Sequence, residues 1–114
     1  PASLASIGGS AFSGCSSLTE INFPASLTSI GESAFSFCSN LTEIHLPASL
    51  TSIGEGTFWS CSSLTEVICY ALVPPKLNGF SNSTIENLYV PAESIQAYKD
   101  SSWAIYFKNI LPIE

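Results

Sequence analysis

The tetrapeptide Pro-Ala-Ser-Leu occurs at residues 1–4, 24–27 and 47–50, and the text between aligns without a gap at a period of 23 residues. The three turns read PASLASIGGSAFSGCSSLTEINF, PASLTSIGESAFSFCSNLTEIHL and PASLTSIGEGTFWSCSSLTEVIC. Self-similarity at a fixed period of this length marks a repeat architecture. The positions that hold are mostly apolar: Leu4, Leu27 and Leu50; Ile7, Ile30 and Ile53; Phe12, Phe35 and Phe58; Cys15, Cys38 and Cys61; Leu18, Leu41 and Leu64; Ile21, Ile44 and Val67. A turn this short cannot enclose a core, so these columns must be buried by stacking turn on turn.

Residues 19–23, 42–46 and 65–69 alternate with period two, which predicts one short strand per turn with Ile21 and Phe23 inward and Glu20 and Asn22 outward. Copies of one strand stacked at a constant period should pair in register as a parallel sheet. Gly8, Gly31 and Gly54 follow the held isoleucine where the chain turns, and a positive φ is expected there. Residues 10–16 and their copies are too short for a stable helix and read as a turn or a single 3-10 turn.

Residues 1–69 are thus three repeats. Residues 70–91 form a degenerate fourth turn: residues 85–91 keep the spacing of residues 18–24, but the stretch before them is shortened and contains Pro74-Pro75. An open end of a stack exposes its core and needs an atypical cover. Residues 92–114 read as that cap, with a helical start after Pro91, a bulky cluster of Trp103, Ile105, Tyr106 and Phe107, and Pro112 blunting any last edge strand. The first turn opens mid-repeat with nothing to shield it. The expectation is a piece of a longer array, with self-association through the uncapped first turn.

Composition removes several functions. The chain is 46% hydrophobic but only 11% charged, and nine acids oppose three lysines and no arginine for a net charge of -6. Nucleic acid and anionic lipid both require clustered cations, so neither is an expected partner. No apolar run approaches the ~20 residues of a membrane helix, so no membrane insertion is expected. The four cysteines, Cys15, Cys38, Cys61 and Cys69, lack C-x-x-C spacing and take inward positions, which reads as reduced core thiols rather than a metal site. The single histidine, His45, points outward and cannot meet inward Cys38. Nothing assembles a nucleophile, a base and an oxyanion site, so no catalytic residue, no metal and no cofactor is assigned. A column of glutamates supplies too few oxygens for calcium. The sequons at Asn40-Leu41-Thr42 and Asn82-Ser83-Thr84 are short enough to arise by chance in a serine-rich chain.

The residues quoted resemble the BspA-like bacterial leucine-rich repeats, whose turn reads LTSIGESAFSGCSSLTEIHLP. Residues 25–47 match it almost letter for letter, and Leu88-Tyr89-Val90-Pro91, Ala97-Tyr98-Lys99, Trp103 and Phe107-Lys108-Asn109-Ile110 resemble the cap of such arrays. The resemblance implies a leucine-rich-repeat solenoid: a right-handed stack with one short parallel strand per turn, turn or 3-10 segments opposite, and a small helical C-terminal cap. It implies a non-enzymatic secreted or cell-surface protein that adheres to a host extracellular or bacterial surface protein. The strand face of such repeats is the concave docking surface. That points to two outward columns, Glu20, Glu43, Glu66 and Asn87 beside Asn22, His45, Ile68 and Tyr89, as the partner-binding residues. Phe37 and Trp59 break the repeat, standing where the first turn has Gly14 and Ser13, and form a secondary apolar patch. The alternatives are a structural spacer without a ligand and a carbohydrate-binding accessory module, for which Tyr89 and Trp59 would stack on sugar rings.

Overall fold

A computed structural model describes residues 6–77 and 85–113. Leu4 of the first apolar column and the sequon at Asn82 lie outside the described residues. The strand expected in each turn is present: β2 (Glu20–Asn22), β4 (Glu43–Leu46), β6 (Glu66–Cys69) and β8 (Ile85–Val90) lie side by side in one parallel sheet. Ile21 pairs with Ile44, Ile44 with Val67 and Val67 with Leu88. Ile44, Leu46, Val67, Cys69, Leu88 and Val90 are buried, so the alternation read from the sequence is the alternation of the pleat.

Each turn also carries a second, two-residue strand that the sequence pattern did not separate from its surroundings. These strands, β1 (Ser6–Ile7), β3 (Ser29–Ile30), β5 (Ser52–Ile53) and β7 (Lys76–Leu77), form a separate four-stranded parallel sheet. Between the sheets the chain runs through consecutive turns rather than 3-10 helix. Alternate amides there bond within the turn (Ala11 to Gly8, Ser13 to Ser10) and across to the next one (Ser10 to Glu32, Phe12 to Ala34, Gly14 to Ser36). The rings of Phe12, Phe35 and Phe58 stack nearly parallel through the middle, with centroids 5.2 and 5.6 Å apart. Phe35 and Phe58 are buried in the core, whereas Phe12, expected to be buried with them, is exposed because no described turn covers its outer side.

The glycines correct one expectation. Gly8, Gly31 and Gly54 are not in the positive-φ region, which is taken instead by Ser10, Ser33 and Gly56 in one column and by Gly14, Phe37 and Ser60 in another. What the held glycines provide is proximity. A methyl group on Gly54 would lie 2.6 Å from the Gly31 carbonyl carbon and closer still to the Glu32 nitrogen, and one on Gly31 would lie 2.6 Å from the backbone of Gly8. Gly8 has open space where a methyl would go.

The cap is also richer than a helical lid. It runs through 3-10 turns at Ala92–Ser94 and Ser102–Tyr106 around helix α1 (Ile95–Lys99), then returns as β9 (Phe107–Pro112), the fifth strand of the long sheet. Pro112 does not stop the ladder: it stands opposite Val90, and the Ile113 amide donates to the Val90 carbonyl at 2.9 Å. Trp103 and Tyr98 are fully buried and Phe107 nearly so, whereas Ile105 points to solvent. The cap also stitches down the irregular fourth turn. Tyr98 donates to the Ala71 carbonyl at 2.7 Å, Ser94 to Leu72 at 2.6 Å and the Trp103 indole to Pro75 at 2.9 Å. These bonds satisfy carbonyls that the shortened turn cannot pair in a ladder.

Gly54→Ala should therefore destabilise by about 2 kcal/mol or more, because backbone has to move, while Gly8→Ala should be close to neutral. Chemical denaturation of the two variants checks this; equal midpoints would contradict the close approach of turns.

Candidate functional site

All eight residues expected on the outward strand face are brought together in register. Glu20 stands beside Glu43, Glu43 beside Glu66 and Glu66 beside Asn87; Asn22 stands beside His45, His45 beside Ile68 and Ile68 beside Tyr89. Constant turn length fixes this through the first three turns, and the shortened fourth turn keeps the register because its strand holds the same apolar spacing. The added strand extends both columns, with Asn109 beside Asn87 and Leu111 beside Tyr89.

Three carboxylates in one column would repel one another in isolation. Each has a donor instead. His45 Nε2 lies 2.5 Å from Glu43 Oε2 and 3.6 Å from Glu20 Oε2, and the Asn22 amide donates to Glu20 at 3.3 Å. Asn87 donates to Glu66 at 2.9 Å and in turn accepts from Asn109 at 3.0 Å. His45 is half-buried, its ring lying 6.4 Å from that of Tyr70 at 21°. Glu20, Glu43 and His45 bring three potential ligand atoms within 4.8 Å of one another. Two carboxylates and an imidazole suit a transition metal rather than calcium, which asks for six or more oxygens.

Sequence reasoning missed Tyr70 and Ile113. Together with Glu43, His45, Ile68 and Tyr89 they line a cavity of about 290 Å³ on this face. The signal for Tyr70 was available: it stands where the earlier turns carry Pro24 and Pro47. Ile113 follows from the alternation of β9, a strand that the sequence did not announce.

Phe37 and Trp59 are likewise together. Both are exposed, and they line one cavity of about 340 Å³ with Glu32, Ser33, Ser36, Glu55 and Gly56. No residue is shared between this cavity and the one on the strand face. Asn40 of the first sequon is exposed and its amide donates to the Ser16 carbonyl at 2.6 Å.

The four cysteines are free thiols. Cys38 donates to the Phe12 carbonyl at 3.3 Å and Cys61 to Phe35 at 3.2 Å, so each thiol ties its turn to the one before. Burial pushes the Cys61 thiol up to about 11, and also raises Cys38 and Cys69. Tyr98, 3.3 Å from the Cys69 sulfur, is raised too, chiefly by burial. A thiol that resists ionisation is a poor nucleophile. Cys38, Cys61 and Cys69 therefore serve the packing of the core.

Residues 1–106 match a protein-family model described as BspA type Leucine rich repeat region, in 6 copies. No curated protein matches the chain. Among the described residues no helix is long and apolar enough to cross a membrane.

A denatured sample should titrate as four thiols with a disulfide reagent, and two or fewer would contradict the free state of the cysteines. Alkali should weaken the fold in a defined window. A thiol raised in the folded state holds its proton after the unfolded chain has lost its own, so the stability it contributes is whole below pH about 9 and is lost as pH rises towards about 11. Unfolding midpoints that stay flat across that window would contradict the burial of Cys61.

Proposed function

Because the chain belongs to the BspA-type leucine-rich-repeat family, we propose that it is a non-enzymatic binding module of a secreted or cell-surface bacterial protein, docking a protein partner on its outward strand face. The supporting observation is the pair of in-register columns from Glu20 to Asn87 and from Asn22 to Tyr89. The inward columns repeat almost unchanged, whereas Asn22, His45, Ile68 and Tyr89 differ in size, polarity and hydrogen-bonding capacity. A spacer needs only a uniform solvated face; a docking surface needs local chemistry. The apolar floor of Ile68, Tyr70, Tyr89 and Ile113 beside Glu43 supplies an anchor pocket next to negative charge.

The matching partner is a host extracellular or bacterial surface protein that presents a basic patch around an apolar side chain. With three glutamates on the face and a net charge of -6, complementarity steers such a partner in and suppresses acidic ones. Adhesion is the role that fits a strand face bearing negative charge beside an apolar pocket.

The double reversal Glu43→Lys with Glu66→Lys tests this. Capture of basic proteins from extracellular-matrix and bacterial-surface extracts should fall about tenfold for the variant, and capture by the native chain should weaken as salt rises. Equal capture by a folded variant would overturn the assignment of the face. No capture by either protein would favour a spacer, and selective retention on a glycan array would favour the carbohydrate reading.

A further inference from the structure

The backbone at residues 14, 37 and 60 is held left-handed, with φ of 78°, 61° and 59°. The cross-turn ladder enforces it: the Gly14 amide reaches the Ser36 carbonyl and the Phe37 amide reaches Trp59, both at 2.8 Å. Glycine suits such a position and a bulky aromatic does not. Phe37 nevertheless occupies it, and its side chain is 59% exposed, so burial returns little for the strain. Trp59, where the earlier turns have Ser13 and Ser36, is 44% exposed beside it. A strained residue whose side chain is left in solvent points to use by a ligand.

The chemistry of the cleft selects the ligand. Glu32 and Glu55 stand at its mouth where the first turn has Gly9, so both the aromatics and the acids belong to the second and third turns. No lysine, arginine or histidine lines the cavity to balance the two carboxylates. Sugar recognition would need side-chain donors as well as acceptors. The lining offers only serine hydroxyls for that, and Ser36 is already engaged with the Ser33 carbonyl at 3.2 Å and with Ser13 at 3.0 Å. Aromatic faces flanked by carboxylates suit an organic cation, attracted by the ring quadrupoles and neutralised by the acids.

We propose that the cleft between Phe37 and Trp59 is a second binding site that takes a cationic side chain, arginine or lysine, of a partner polypeptide. It is independent of the strand face and does not rest on that assignment. Arginine fits best, because its planar guanidinium stacks on an indole while its N–H groups reach a carboxylate.

The repeat supplies its own control substitutions. Phe37→Gly and Trp59→Ser restore residues that other turns carry at the same positions, and Phe37→Gly also removes the strain, so the double variant should fold with an unchanged or higher midpoint. Trp103 is buried, which leaves Trp59 as the solvent-accessible fluorophore for a titration. A tri-arginine peptide should quench native fluorescence saturably, its tri-citrulline counterpart should not, and calorimetry should show the arginine affinity falling about tenfold in the double variant. Glu32→Gly with Glu55→Gly should lower it similarly, whereas Glu43→Lys with Glu66→Lys should leave the aromatic dependence intact. Arginine affinity unaffected by the aromatic double variant would overturn the proposal, as would equal binding of tri-citrulline or binding of chitotriose in place of the peptide.

Discussion

Parallel pairing of each turn with the next, Ile21 on Ile44 on Val67 on Leu88, is the constraint from which the rest of the molecule follows. A turn of this length has almost no interior, so its apolar side chains are dry only when neighbours lie on both sides. Burial, strand pairing and the Phe12–Phe35–Phe58 stack are then one cooperative event. The same spacing explains the glycines at 31 and 54, where two backbones come too close for a side chain, and the thiol bonds that reach back one turn. Because the contacts are nearest-neighbour, the stack needs a stop, and Trp103, Tyr98 and β9 provide it at one end.

That constraint leaves the outward positions free, and it multiplies whatever stands there. A glutamate placed once becomes a column of three. Repulsion within the column is met by His45, Asn22 and the Asn87–Asn109 pair rather than by lysines, so the face keeps its negative charge while no carboxylate in the column lacks a donor. The turn segments use the same freedom differently. There the aromatics and acids of the second and third turns collect around one cleft, and the first turn keeps Gly9, Ser13 and Gly14.

The apolar columns and the in-register strand face were legible in the sequence because both follow from period and alternation alone. The second sheet was not, since two residues such as Ser29–Ile30 are too few to show a period. Glycine conservation between turns was visible, but its cause was not: a repeated glycine signals positive φ and close approach equally well, and only the stack shows that Gly31 and Gly54 answer the second need while Ser33 and Phe37 bear the first. The eighth and ninth strands show the limit of pattern matching. β8 keeps apolar residues, Ile85, Leu88 and Val90, at the spacing of Leu18, Ile21 and Phe23 and is recognisable, whereas β9 carries Phe107, Asn109 and Leu111 in an unfamiliar frame within the cap. Tyr70 and Ile113 became parts of the strand face only once that frame was known.

The register itself can be measured most directly by nuclear Overhauser contacts between backbone protons of the labelled chain in solution. Cross-strand contacts should link Ile21 to Ile44, Ile44 to Val67, Val67 to Leu88 and Leu88 to Ile110, with the pattern of parallel strands. Short contacts between facing α-protons, the mark of antiparallel pairing, or a ladder displaced by one residue would contradict the account, because either would take Glu20, His45 and Tyr89 off a common face.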